Sequence, residues 1–118
     1  MLKSYKDLTV WQRAIELVEE VYTLTKALPK EEMYNLMSQM RRSSVSIPSN
    51  IAEGYKRRGL GEYLQFLSIA DASAAELETQ ITIMRKQYPD LGCTHAERLI
   101  EEVQKMLFVL IKKLSSKP

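Results

Sequence analysis

A chain of 118 residues with 45% hydrophobic and 27% charged side chains has the size and balance of one globular domain over 1–118, and four glycines and four prolines exclude collagen-like and low-complexity classes. One cysteine excludes an internal disulfide framework and any cysteine-based zinc cluster. The net charge of +2 is too small to announce a polyanion partner, although residues 1–59 hold ten basic against seven acidic side chains and residues 60–118 seven against eight.

Four long segments rich in Leu, Ile, Met, Ala, Glu, Lys and Gln lie between Pro29, the Gly54/Gly59/Gly61 cluster and Pro89-Asp90-Leu91-Gly92. They predict helices over 7–28, 31–58, 61–88 and 94–115. The first carries two apolar stripes: Leu8, Trp11, Ile15, Val18, Tyr22 and Thr25, then Val10, Ala14, Leu17, Val21, Leu24 and Leu28. At about 100° per residue the stripes lie roughly 110° apart, wider than a corner helix of a lone bundle needs. The surplus asks for a second subunit, with Val10, Leu17, Val21 and Leu24 as the expected contacts; generous burial within one bundle is the alternative.

The second segment keeps a 3-4 seam through Met33, Met37, Met40, Ser44, Ile47 and Ile51, with Pro48 inside it. Proline removes one N–H and crowds the carbonyl four residues back, so the helix is expected to kink there; an outright break near Ile47 is the alternative. Ser43, Ser44, Ser46, Ser49 and Asn50 surround the proline and can take up freed backbone groups. The third segment is the most regular, and its small-residue middle, Ser68 to Ala75, predicts the tightest helix crossing. The fourth opens with Thr94 and Glu97, the spacing of a capping box. Its run Met106 to Ile111 is apolar all round, so Met106, Phe108, Val109 and Ile111 join the expected subunit contacts. Short connections between long helices force antiparallel neighbours, and the predicted fold is an all-α, up-down-up-down four-helix bundle.

Specific blocks carry a resemblance. These are Tyr5 to Ala14 (YKDLTVWQRA), Gln39 to Gly54 (QMRRSSVSIPSNIAEG), Glu62 to Leu67 (EYLQFL) and Glu76-Leu77-Glu78. With them the chain resembles, over essentially its whole length, the bacterial four-helix-bundle family of the 23S ribosomal RNA intervening-sequence proteins. It is similar also to the accessory variability determinant proteins of diversity-generating retroelements, pentameric barrels that engage nucleic acid and a reverse transcriptase. The resemblance implies a homopentameric ring or barrel and supplies no established activity. Asn35 stands where family members commonly have glycine, and asparagine is the next-best residue for a left-handed turn.

Arg41, Arg42, Lys56, Arg57 and Arg58 flank the Pro48 segment and are the candidate nucleic-acid contacts, for RNA or DNA. Their structural alternative is a set of solvated ends and intersubunit ion-pair partners, for instance of Glu53 or Glu62. Only Tyr55 and Tyr63 lie nearby as aromatics, too few for a single-strand stacking platform. Catalytic signals are missing: one histidine cannot build a paired Glu-x-x-His di-iron site, and His95-Ala96-Glu97 lacks the P-C-x-x-C partner of zinc deaminases. No metal, cofactor or enzymatic activity is expected. Cys93 precedes a helix, where the thiol pKa can fall, or is an ordinary free thiol. No apolar run approaches the roughly 18 residues of a membrane span, and the N-terminal residues lack a secretory h-region, so a soluble cytoplasmic protein is expected. The expected function is a non-enzymatic homo-oligomeric scaffold, a pentamer, with a basic nucleic-acid surface. The alternative is a protein-interaction adaptor offering intersubunit grooves to a partner protein.

Overall fold

Helices form where strong helix formers run between the Pro and Gly punctuation: α1 Thr9–Thr25, α2 Leu36–Tyr55, α3 Leu60–Gln87 and α4 Thr94–Ser115, with short 3-10 turns at Tyr5–Asp7 and Lys30–Glu32. The structure is a computed structural model that describes residues 4–116, so the ends of the expected 1–118 domain lie outside the described residues. Each helix packs on its neighbours in chain order and α4 closes back on α1, while among the described residues the backbones of the two diagonal pairs stay apart. The result is an all-α four-helix bundle of 49 × 22 × 21 Å. Its core runs along the axis through Leu17, Met40, Ile47, Leu77, Met84 and Leu107, all at most 1% exposed.

The first helix ends three residues before the expected Leu28. Pro29 disfavours helical geometry in the residue before it, and the chain tightens instead, Ala27 N–H and Leu28 N–H donating to Leu24 O and Thr25 O. The second helix starts at Leu36, not residue 31. Glu32 explains the delay: its carboxylate accepts from Asn35 Nδ2 (3.3 Å) and Leu36 N–H (3.4 Å), and it also accepts the Tyr88 hydroxyl. One carboxylate therefore pins the α1–α2 corner to the C-terminal end of α3. That bond, with burial and the charges of Glu32 and Glu31 behind it, pushes the Tyr88 phenol up to about 12. Asn35 is not left-handed, at φ −129° and ψ −101°. The capping box of α4 does not form either. Cys93 occupies the cap without a side-chain bond, Thr94 lies inside the helix, and the Glu97 carboxylate turns to Arg85 at 3.1 Å.

Pro48 is buried, and α2 runs through it from Leu36 to Tyr55 without a break. Two of the serines around it bind across to α3. Ser43 Oγ lies 2.6 Å from Gln80 Oε1, and Ser46 Oγ lies 2.8 Å from Ser73 Oγ, while within α2 Asn50 Nδ2 donates to Ser46 O at 2.8 Å. Buried Ala70, Ser73 and Ala74 supply the small surface expected on α3. The close approach extends well beyond them, to Gly54. A Cβ built there would sit 2.7 Å from Phe66 Cβ and 3.2 Å from Tyr63 O, atoms that cannot swing aside. Gly54→Ala is therefore expected to cost about 1–3 kcal/mol of stability, the usual range for overpacking. Urea unfolding followed by circular dichroism checks it, and an unchanged midpoint would contradict the tight crossing.

Candidate nucleic-acid interface

The five basic candidates do not form one patch. About fifteen residues of helical rise, roughly 22 Å, separate Arg41 and Arg42 near the start of α2 from Lys56, Arg57 and Arg58 just past its end. Arg41 is turned inward on α1. Its Nε donates to Thr25 Oγ1 at 2.9 Å, its terminal nitrogen donates to Tyr22 O at 3.3 Å, and its guanidinium stacks 4.5 Å from the Tyr22 ring centre. These bonds take up a carbonyl and a hydroxyl in the last turn of α1, so Arg41 is a structural tie between helices. Arg42 is exposed.

The other end is richer. Lys56, Arg57 and Arg58 are exposed on the turn between α2 and α3. Arg57 covers the Phe66 ring at 4.8 Å and reaches the Glu62 carboxylate at 3.8 Å, with both charged groups about half exposed. Beside this turn Trp11, Tyr5, Tyr55 and Tyr63 form, in that order, an edge-to-face chain with ring centres 5.4, 6.5 and 6.0 Å apart. Burial, then the neighbouring Tyr55, pushes the Tyr63 phenol up, so this hydroxyl stays neutral through the physiological range. A shallow groove of about 410 Å³ opens between Tyr5, Ala52, Glu53, Lys56 and Arg57. The rings pack on one another and leave no row of free faces for bases. Tyr5 and Trp11 were not legible as part of this end, because they lie in the 3-10 turn and the first turn of α1 and no local spacing links them to Tyr55.

The expected subunit contacts separate as sharply. Val10, Leu17, Val21 and Leu24 are at most 6% exposed and belong to the core of the single chain, a correction to the sequence reading. The two stripes of α1 exchange roles: Trp11, Ile15 and Val18 are half-buried and Tyr22 is exposed. Size decides which stripe turns in. Ala14, with no exposure, lets α1 approach its neighbours, whereas a tryptophan is rarely sealed completely in so small a domain. On α4, Phe108 and Val109 are 65% and 63% exposed, while Met106 and Ile111 lean half-buried on the core.

Among the described residues no three His, Cys, Asp or Glu side chains gather closely enough to hold a metal ion, and no helix is long and apolar enough to cross a membrane. A family model described as 23S rRNA-intervening sequence protein matches residues 6–110. No curated protein matches the chain.

The suggestion of an activated cysteine is overturned. Cys93 is 4% exposed, its thiol lies 3.5 Å from Leu91 O, and burial followed by the charge of Glu97 pushes it up against the weaker opposing pull of Arg85. Native protein at pH 8 is expected to react with a thiol-specific disulfide reagent at least about tenfold more slowly than urea-unfolded protein. Equal rates in the two states would contradict this burial.

Proposed function

The chain belongs to the 23S rRNA-intervening sequence protein family, and on that premise we propose a non-enzymatic protein that assembles with copies of itself and holds nucleic-acid phosphates where α2 passes into α3. The phosphate backbone is common to RNA and DNA, and either is the ligand in this reading. One observation carries the phosphate reading: three successive cations on an exposed turn, one of them only loosely paired. An exposed ion pair is worth little in water, so Arg57 exchanges Glu62 for a phosphate at small cost. Lys56 and Arg58 extend from the same turn, and backbone phosphates supply most of the affinity in sequence-independent binding. Arg41 stands outside this surface because its donors are engaged on α1.

Self-association supplies what a single turn lacks. One copy offers three cations, a weak site at physiological salt, while several copies held in register convert weak contacts into avidity. The exposed Phe108 and Val109 and the half-buried Trp11 face supply apolar surface for that association. The number of copies, five by family likeness, is part of this proposal.

Fluorescence anisotropy with single-stranded and hairpin RNA across a salt series tests the reading. Log affinity is expected to fall linearly with log salt, and K56Q/R57Q/R58Q is expected to weaken binding and flatten the slope by about 0.7–0.9 for each phosphate no longer neutralised. Arg41→Gln is expected to lower the unfolding midpoint and leave the slope unchanged. No binding at low ionic strength, or an unchanged slope in the triple variant, would contradict it.

A further inference from the structure

We propose that the groove beside the α2–α3 turn is a subsite for one unpaired guanine of a bound strand, whose Watson–Crick edge donates to the Glu53 carboxylate while Lys56 and Arg57 hold the adjoining phosphate. The assignment rests on the phosphate reading above and adds the base that the site selects. The groove has a volume of about 410 Å³ and is walled by Tyr5, Ala52, Glu53, Lys56 and Arg57, within the size range of small-ligand sites. Its walls combine two cations, one carboxylate and one aromatic ring. The cations suit a phosphate, and a carboxylate in the same wall repels one, so Glu53 meets a different part of the nucleotide.

Glu53 is free to do so. Arg57 stands four residues on, the spacing of a helical ion pair, yet it lies over Phe66 at 4.8 Å and reaches Glu62 at 3.8 Å instead. The Glu53 side chain, exposed on the last turn of α2, has no ion pair or hydrogen bond among the described residues. Lys56 follows one turn later, which sets the two Cβ atoms about 5–6 Å apart, a span that one nucleotide bridges from base to phosphate. The chemistry of the carboxylate names the base. An ionised carboxylate only accepts, through two oxygens, and pairs best with two donors set side by side. Guanine alone carries such a pair on its Watson–Crick edge, N1–H and the N2 amino group. Adenine and cytosine place a ring-nitrogen acceptor beside their amino group, and uracil flanks its N3–H with two carbonyls, so each brings a lone pair against the second oxygen. In a duplex that edge is occupied by the partner strand, and the subsite therefore takes a guanine from a single-stranded stretch. Tyr5 gives the groove one aromatic wall, enough for one base where a row of free rings is lacking. Phosphate contacts fix a strand in register and base contacts read its sequence. Lys56 and Arg57 serve the first purpose and Glu53 the second.

Fluorescence anisotropy of the full chain at low ionic strength tests the assignment, with labelled short oligouridine strands that are plain or carry one central guanine, adenine or inosine. The guanine strand is expected to bind at least about fivefold more tightly than the adenine or plain strand, the lower end of the discrimination a two-bond base contact gives. Inosine, which lacks the N2 amino group, is expected to fall between them. DNA strands with the same single bases are expected to rank alike, because the edge is common to RNA and DNA. Glu53→Gln replaces one acceptor by a donor, the complement of adenine N1 and its N6 amino group, and is expected to turn the preference to adenine while the plain strand still binds. That retained binding establishes that the variant folds. Equal affinities for the four strands overturn the guanine subsite and leave the phosphate reading standing. A guanine preference that survives Glu53→Gln overturns the assignment to Glu53. Failure of every strand to bind overturns the phosphate reading itself, and this subsite with it.

Discussion

Helices α2 and α3 approach so closely that no side chain fits between them at Gly54, where even a methyl group would meet the Phe66 Cβ and the Tyr63 carbonyl. The crossing is lined elsewhere by Ser43, Ser46, Ala70, Ser73 and Ala74, and hydroxyls bridge it from Ser43 to Gln80 and from Ser46 to Ser73. Small residues in the seam give near contact of backbones, and buried polar bonds within it tolerate little sliding, because a shift of one residue would leave hydroxyls and an amide unpaired. The register of this pair determines where everything else sits. Gly54 places the α2–α3 turn, and with it Lys56 to Arg58, against the aromatic chain of Tyr5, Trp11, Tyr55 and Tyr63.

Apolar surface is left uncovered on every helix. Trp11, Ile15 and Val18 stay half-buried along α1, Val45 is exposed on α2, Ile69 and Ile83 on α3, and Phe108 and Val109 on α4. The tight pair fixes a basic end, and in the proposed assembly this leftover apolar surface is what sets several such ends side by side.

Much of this was legible in the chain itself. The 3-4 seam of α3, the helix-breaking Pro29 and Gly59, and the apolar run at Met106 to Ile111 each rest on local rules, and the four helices follow them. The failures are non-local. Two stripes of equal hydropathy on α1 cannot be ranked by periodicity; the fit of Ala14 against neighbouring helices ranks them. Glu97 was free to cap α4 until α3 brought Arg85 within 3.1 Å. The serines around Pro48 read as repairs to a damaged helix, whereas Ser43 and Ser46 bridge to α3. Arg41 and Arg42 are neighbours in sequence, yet Arg41 is held by Thr25 and Tyr22, and only the fold separates their roles.

Native-state hydrogen exchange, read residue by residue, tests the primacy of the α2–α3 pair most directly, since amides that open only on global unfolding mark the most stable unit. The slowest amides are expected in α2 from Ser43 to Ile51 and in α3 from Leu67 to Ile81, with the amides of α1 and α4 exchanging earlier. Slowest exchange in α1 or α4, with the facing turns of α2 and α3 opening first, would contradict the account.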